Sequence, residues 1–132
     1  MKKLTLNDYQ EKAMSTCMPS CENISYMLLN LVGEVGEFAS KVAKEIRKEN
    51  MCIGVCSTKR NEHYWFTHDG DSYAKEEELK KEAGDILWQL AGLCHVMGWT
   101  LEDVGLGNLE KLAARKAAGT IDGNGDGIIR EK

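Results

Sequence analysis

The order of apolar and polar residues along the chain predicts helices and no regular sheet. In the longest patterned segment, apolar residues recur at the three- and four-residue intervals of one helix face. The residues of that face are Ile24, Met27, Leu28, Leu31, Val35, Phe38, Val42 and Ile46. We predict helices over about 6–16, 21–49, 74–97 and 101–117. The fold class that follows is all-α, in a single domain over residues 1–132.

Residues with known capping preferences mark the ends of these predicted helices. Ser20 and Asn23 stand near the start of the second helix and could cap it, because both residue types accept hydrogen bonds from free N–H groups at a helix start. Thr100, followed by Asp103, is the corresponding pair for the fourth helix. Gly119 is typical of a helix C-terminus.

Two segments lie outside the helical pattern: a loop insertion over residues 50–73 and a glycine-rich tail over residues 119–132. The insertion contains Cys52, Cys56, His63 and His68, but six residues separate the cysteines from the histidines, where a zinc finger has about 12. The tail begins like an EF-hand loop at Asp122, Asn124 and Asp126, and the twelfth position of that loop would be residue 133. We expect neither zinc nor calcium there, and a tail that folds near the ligand.

Composition and charge narrow the class of protein. The sequence is 42% hydrophobic and 29% charged, and no apolar run approaches the roughly 18–20 residues that span a bilayer. The first residues are polar, unlike a signal peptide, and the five scattered cysteines are an odd number, so they cannot all form disulfide pairs within one chain. We therefore expect a cytoplasmic protein with reduced thiols and no membrane partner. The net charge of −4 argues against binding polymeric nucleic acid, whereas a metal ion would still allow a small polyanion.

Two pairs of acidic residues carry the chemical information. Glu34 and Glu37 stand three residues apart, as do Glu82 and Asp85, so each pair shares one side of its helix. Both pairs lie within apolar stretches, where four carboxylates would repel one another at neutral pH. A divalent hard cation would offset that repulsion. The alternative is that these are ordinary surface acids of amphipathic helices.

Glycines stand beside both acidic pairs, at positions 33, 36 and 84. A glycine inside a helix costs roughly 0.5–1 kcal/mol relative to alanine. Its repeated use here suggests either a close approach between helices or room for a ligand.

The acidic pairs resemble the hallmark of the MazG-type all-α NTP pyrophosphatase superfamily, an ExxE pair followed by an ExxD pair. The resemblance extends to Tyr9-Gln10, to residues 84–88, and to residues 108–112 with Arg115. It implies a four-helix MazG-like fold whose active-site bundle is completed by oligomerisation, in a homodimer or homotetramer. Residues 50–73 make the separation between the acidic pairs longer than in compact members.

The resemblance also implies an activity: Mg²⁺-dependent hydrolysis of a nucleoside triphosphate to a monophosphate and pyrophosphate, as nucleotide-pool housekeeping. It assigns Glu34, Glu37, Glu82 and Asp85 as metal ligands, for Mg²⁺ or alternatively Mn²⁺. Of these, Glu34 and Glu37 are also the expected catalytic residues, with Glu37 as the base. Spacing alone supports a metal site, and pyrophosphate release rests on the resemblance.

Three residues of the fourth predicted helix are candidates for binding the substrate. Asn108, Lys111 and Arg115 lie on one helix face, and lysine and arginine suit phosphate oxygens. The resemblance places this helix at the triphosphate. For Arg115 the alternative is a favourable interaction with the helix dipole.

Other functions also fit parts of the sequence. A phosphoribosyl-ATP pyrophosphatase would share the metal chemistry with a different base specificity. A ferritin-like di-iron protein requires Glu-x-x-His pairs. The residue three before His95 is Gly92, so His95 does not form such a pair, which disfavours this class. A non-catalytic helical dimerisation module would leave the clustered carboxylates without a purpose.

Overall fold

The computed structural model describes residues 2–48 and 72–121, with the side chains of residues 72–76 excepted. Its helices are α1 (Leu6–Met14), α2 (Ile24–Arg47), α3 (Ser72–Val96) and α4 (Leu101–Ala118), with a short 3₁₀ turn at Pro19–Cys21. No strand occurs in these described ranges, so the predicted all-α class is confirmed. The zinc and calcium candidates at residues 52–68 and 122–126 lie outside the described residues.

The helix ends follow most of the predicted caps. The Asn23 side chain accepts a hydrogen bond from the Tyr26 N–H at 2.8 Å and begins α2. Thr100 Oγ1 accepts from the Asp103 N–H at 3.1 Å at the start of α4. At the other end of α4, Gly119 adopts the left-handed conformation, with φ of 70°. These three capping predictions are confirmed.

The predicted start of the second helix at residue 21 is wrong by three residues. Pro19 opens a separate 3₁₀ turn that also contains Ser20, so Ser20 does not cap α2. Instead, its backbone carbonyl accepts a hydrogen bond from the side chain of Asn23 at 3.1 Å. The turn therefore holds the side chain that caps the helix.

Helix α3 is the central element, since α2 and α1 both pack against it, and α1 also packs against α4. The core is small. Its buried apolar side chains in the described ranges are Ala13, Met27, Ala91, Cys94 and Leu101. Tyr9 and Met14 of α1 pack against this core from one side. Within the described residues, no helix combines the length and apolar content that crossing a bilayer requires.

Gly92 allows the close approach of α2 to α3. A Cβ atom at this position would lie 2.3 Å from the sulfur of Met27, whose side chain is fully buried. The glycines beside the acidic pairs do not have this role. A Cβ at Gly33 would meet only Asn30 Oδ1 at 3.7 Å, and nothing lies within 4 Å at Gly36 or Gly84. Of the two alternatives for these three glycines, close helix approach does not occur among the described residues of one chain, and the space beside the glycines is open.

Gln10 joins three helices through a buried side chain. Its amide nitrogen donates to the carbonyls of Ala91 at 3.3 Å and Trp99 at 3.0 Å. Its amide oxygen accepts from the Leu101 N–H at 3.0 Å, at the first residue of α4. The Gln10 side chain thereby ties α1 to α3, to the connection after α3 and to the first residue of α4.

Replacing Gln10 with alanine should lower the free energy of unfolding by about 2–4 kcal/mol, because it leaves the buried Leu101 N–H without its partner. Chemical denaturation followed by circular dichroism measures this loss. Glu11→Ala, at the exposed neighbouring position of the same helix, is the control. Equal losses in the two variants would contradict the role assigned to Gln10.

Candidate metal centre

The packing of α2 against α3 brings three of the predicted acidic residues together. Glu34 lies on α2, and Glu82 and Asp85 lie one turn apart on α3. One carboxylate oxygen from each lies within 4.8 Å of the other two. Oxygen ligands on opposite sides of a small divalent cation are at most about 4–5 Å apart, so these three can share one ion.

The surroundings of Glu34 disfavour its negative charge. Partial burial is the largest cause that raises the pKa of Glu34, and the charges of Asp85 and Glu82 raise it further. A hydrogen bond from the Asn30 side-chain amide to Glu34, at 3.3 Å, acts in the opposite direction. Glu82 is also half-buried, whereas Asp85 is exposed. The cluster is thus a place where negative charge accumulates and a cation would be stabilised.

Glu37 lies beside this cluster but outside the set of three. Its side chain is exposed, and a three-residue step turns it about 60° around the helix axis from Glu34. Its charge still acts on the cluster, since it contributes to the raised pKa of Glu34. The role of Glu37 as ligand or base remains a prediction.

Lys41 contacts the cluster directly, which the sequence interpretation missed. Its Nζ lies 2.5 Å from Glu82 Oε1. The hydrogen bond to Glu82 is the largest cause that raises the pKa of Lys41, and burial opposes it. Lys41 is one of several basic residues near the C-terminal end of α2. Its position seven residues after Glu34 was the available signal, because that spacing places both on one helix face.

Two aromatic residues hold α1 against the acidic part of α3. The Trp88 indole N–H donates to the Ala13 carbonyl at 3.1 Å and to Thr16 Oγ1 at 3.0 Å. Burial raises the pKa of Tyr9, and the charge of Asp85 raises it further. Tyr9 is therefore a neighbour of the acidic cluster. From the sequence, Tyr9 was only part of the wider family resemblance and had no assigned role in the site.

The predicted substrate residues of α4 lie apart from this cluster in the contacts of one chain. α4 packs mainly against α1, whereas the acids lie where α2 meets α3. Asn108 and Lys111 are exposed, and Arg115 is half-buried. The Arg115 Nε atom is buried and has no hydrogen-bond partner among the described residues. Their assignment to the substrate stays a prediction.

Glu34→Gln should stabilise the protein at neutral pH when divalent ions are removed, by less than about 1 kcal/mol for this partly screened group. The folded-state pKa of Glu34 is raised, so its charge costs stability above that pKa, and the cost disappears as the pH falls through it. The advantage of the variant should therefore vanish towards acid pH in thermal unfolding scans. Glu37→Gln, an exposed carboxylate of the same helix, should show a smaller effect. Equal stability of wild type and Glu34→Gln at neutral pH would contradict the repulsion.

Comparison with known proteins gives the family. The sequence matches the model of the MazG nucleotide pyrophosphohydrolase domain over residues 22–119, which covers α2, α3 and α4. It is also 36% identical over 107 residues to the Gene 37 protein of Mycobacterium phage L5, an alignment that covers 81% of this chain and 78% of that protein. No solved structure matches the chain significantly. The resemblance carried by the acidic pairs is confirmed: the chain belongs to the MazG nucleotide pyrophosphohydrolase family.

Proposed function

We propose that the protein is a Mg²⁺-dependent hydrolase that converts a nucleoside or deoxynucleoside triphosphate to the monophosphate and pyrophosphate. The observation that carries this proposal is the convergence of Glu34, Glu82 and Asp85 in a chain of the MazG family. Such an activity would serve housekeeping of the nucleotide pool in the cytoplasm.

The donor set fits a magnesium or manganese ion. All three converging side chains offer carboxylate oxygens, which hard divalent cations prefer, and no histidine or cysteine shares the cluster within the described residues. The raised pKa of Glu34 points the same way, because a cation would relieve the crowding that causes it. When bound, the ion would neutralise charge on the phosphates and lower the pKa of a coordinated water.

The remaining carboxylate, Glu37, has a suitable position for the base. Its side chain is exposed and lies outside the set of three oxygens, so it is available to take a proton from the attacking water. Its negative charge acts on Glu34 and Lys41, which supports a position beside the proposed reacting centre. We therefore assign Glu34, Glu82 and Asp85 to the metal, and Glu37 to the base with a secondary share in metal binding.

The phosphate chain also needs donors. We assign Asn108, Lys111 and Arg115 to it, since the first two are exposed and the third has a buried Nε with no hydrogen-bond partner among the described residues. A guanidinium N–H without a partner is costly when buried, and a phosphate oxygen would satisfy it. Because α4 packs mainly against α1, these residues need a further association to complete the site.

A second copy of the chain would supply that association. α2 exposes an apolar strip, defined by Ile24, Leu28, Leu29, Val32 and Val35. Leu29 and Val32 are 74% and 68% exposed, so no described part of the chain covers the strip. A contiguous exposed apolar strip marks an interface. It lies on the helix that carries Glu34 and Glu37, and we propose that a homodimer buries it and completes the active site.

Activity with a panel of NTPs and dNTPs in Mg²⁺ tests the reaction, with products resolved by ³¹P NMR. We expect pyrophosphate and the monophosphate.

Glu37→Gln should lower kcat by about 100- to 10,000-fold, as for loss of a general base. Asp85→Asn should raise the Mg²⁺ concentration needed for half-maximal rate, and Glu11→Gln, on the exposed side of α1, should behave as wild type. Release of orthophosphate would overturn the reaction, and full turnover by Glu37→Gln and Asp85→Asn would overturn the site.

Sedimentation tests the proposed dimer. The wild-type protein should sediment at a multiple of the single-chain mass of 14.7 kDa. The double variant Leu29→Asp with Val32→Asp should sediment at the single-chain mass, because it places two charges in the apolar strip. Leu4→Asp, at an exposed leucine before α1, is the control and should leave the mass unchanged. A wild-type protein that sediments as a single chain would contradict the dimer.

A further inference from the structure

Lys41 is paired with a carboxylate that the proposed metal site also requires. Its Nζ lies 2.5 Å from Glu82 Oε1, in a pair whose side chains are 39% and 14% exposed. Glu82 is at the same time one of the three acids whose oxygens converge. Glu82 is therefore already paired with a positively charged side chain of the protein, that of Lys41.

The charge around Lys41 explains this arrangement. The carboxylates of Glu82, Glu78 and Glu37 all act on the lysine. Among the described residues, no other lysine or arginine forms an ion pair with Glu34, Glu82 or Asp85. Lys41 thus supplies positive charge where the packing of α2 on α3 has collected negative charge.

We propose that Lys41 is a resident counter-cation that stabilises the acidic cluster before metal binding and that a divalent ion must displace from Glu82. The inference rests on the proposed function, because it assumes that Glu82 is a metal ligand. Lys41 is a positioning residue in this account: it sets the metal affinity and contacts neither the nucleotide nor the reacting atoms.

The displaced ammonium group has a place to go. An open cavity of about 100 Å³ lies between the C-terminal part of α2 and the N-terminal part of α3, and Lys41, Lys44, Glu45, Glu78 and Leu79 line it. Glu78 stands four residues before Glu82, so the two carboxylates are neighbours on one face of α3. The flexible four-carbon chain of lysine can move its charge from Glu82 to Glu78 without a change of the backbone.

The exchange predicts the direction in which metal affinity changes. Removing Lys41 removes the competitor for Glu82, so a divalent ion should bind more tightly, although the metal-free protein loses a stabilising pair. Removing Lys44 takes away the same charge from the same helix and the same cavity without touching the Glu82 ion pair. A comparison of the two separates competition for Glu82 from a general effect of positive charge.

Isothermal titration of the nucleotide-free, full-length protein with Mn²⁺ tests the inference. Lys41→Gln should bind Mn²⁺ about three- to fivefold more tightly than wild type, the size expected for loss of one partly exposed ion pair. Lys44→Gln should stay close to wild type. Lys41→Arg, which retains a cation that can pair with Glu82, should not gain affinity. Thermal unfolding without metal should show a lower Tm for Lys41→Gln than for wild type, and saturating Mn²⁺ should remove that difference.

Two results would overturn the inference while leaving the metal site in place. One is an unchanged or weaker Mn²⁺ affinity of Lys41→Gln, and the other is an equal gain in Lys41→Gln and Lys44→Gln. Absence of Mn²⁺ binding to the wild-type protein would overturn the proposed metal site itself, and the exchange with it. Circular dichroism of each variant establishes that it folds before its affinity is compared.

Discussion

Repulsion among carboxylates on a half-buried helix face is the constraint on which the rest of the site depends. Fully buried Met27 packs over Gly92 where α2 meets α3, and the same helix pair brings Glu34 to Glu82 and Asp85. Burial and neighbouring charge then raise the pKa of Glu34. Concentrating negative charge in this way lowers the stability of the folded protein. A bound cation is the simplest partner that would offset that loss.

The described structure meets this repulsion with groups of its own. Asn30 donates a hydrogen bond to Glu34, Lys41 pairs with Glu82, and Asp85 stays exposed to solvent. These contacts offset the repulsion only in part, since the pKa of Glu34 is still raised in their presence. Partial compensation suits the proposed metal site, which would have to exist without the ion and still bind it. A cluster fully neutralised by the protein would leave little driving force for metal binding.

The small core of the single chain fits the same picture. Few apolar side chains are buried in the described ranges, while the strip on α2 is left open. A helix that packs on one face and exposes apolar residues on the next leaves the second face to a partner. Because the strip and Glu34 share one helix, association of two chains and assembly of the site are coupled in the proposed dimer.

Sequence periodicity and capping chemistry predicted the helices well, because both depend on local spacing. Asn23, Thr100 and Gly119 act as their residue types suggest. The i, i+3 spacing also placed Glu82 and Asp85 together, since residues one turn apart stay neighbours in any packing. Other contacts depend on how separate helices meet, which spacing does not encode. The Lys41–Glu82 pair, the fit of Gly92 over Met27 and the outward position of Glu37 are of this kind.

The most direct test of the metal centre is an anomalous-difference map from crystals grown with Mn²⁺. A manganese peak should lie about 2.0–2.6 Å from one carboxylate oxygen each of Glu34, Glu82 and Asp85. In the same crystals the Lys41 ammonium group should have left Glu82. A chain that binds its ion elsewhere, or shows no peak between α2 and α3 at saturating Mn²⁺, would contradict the account.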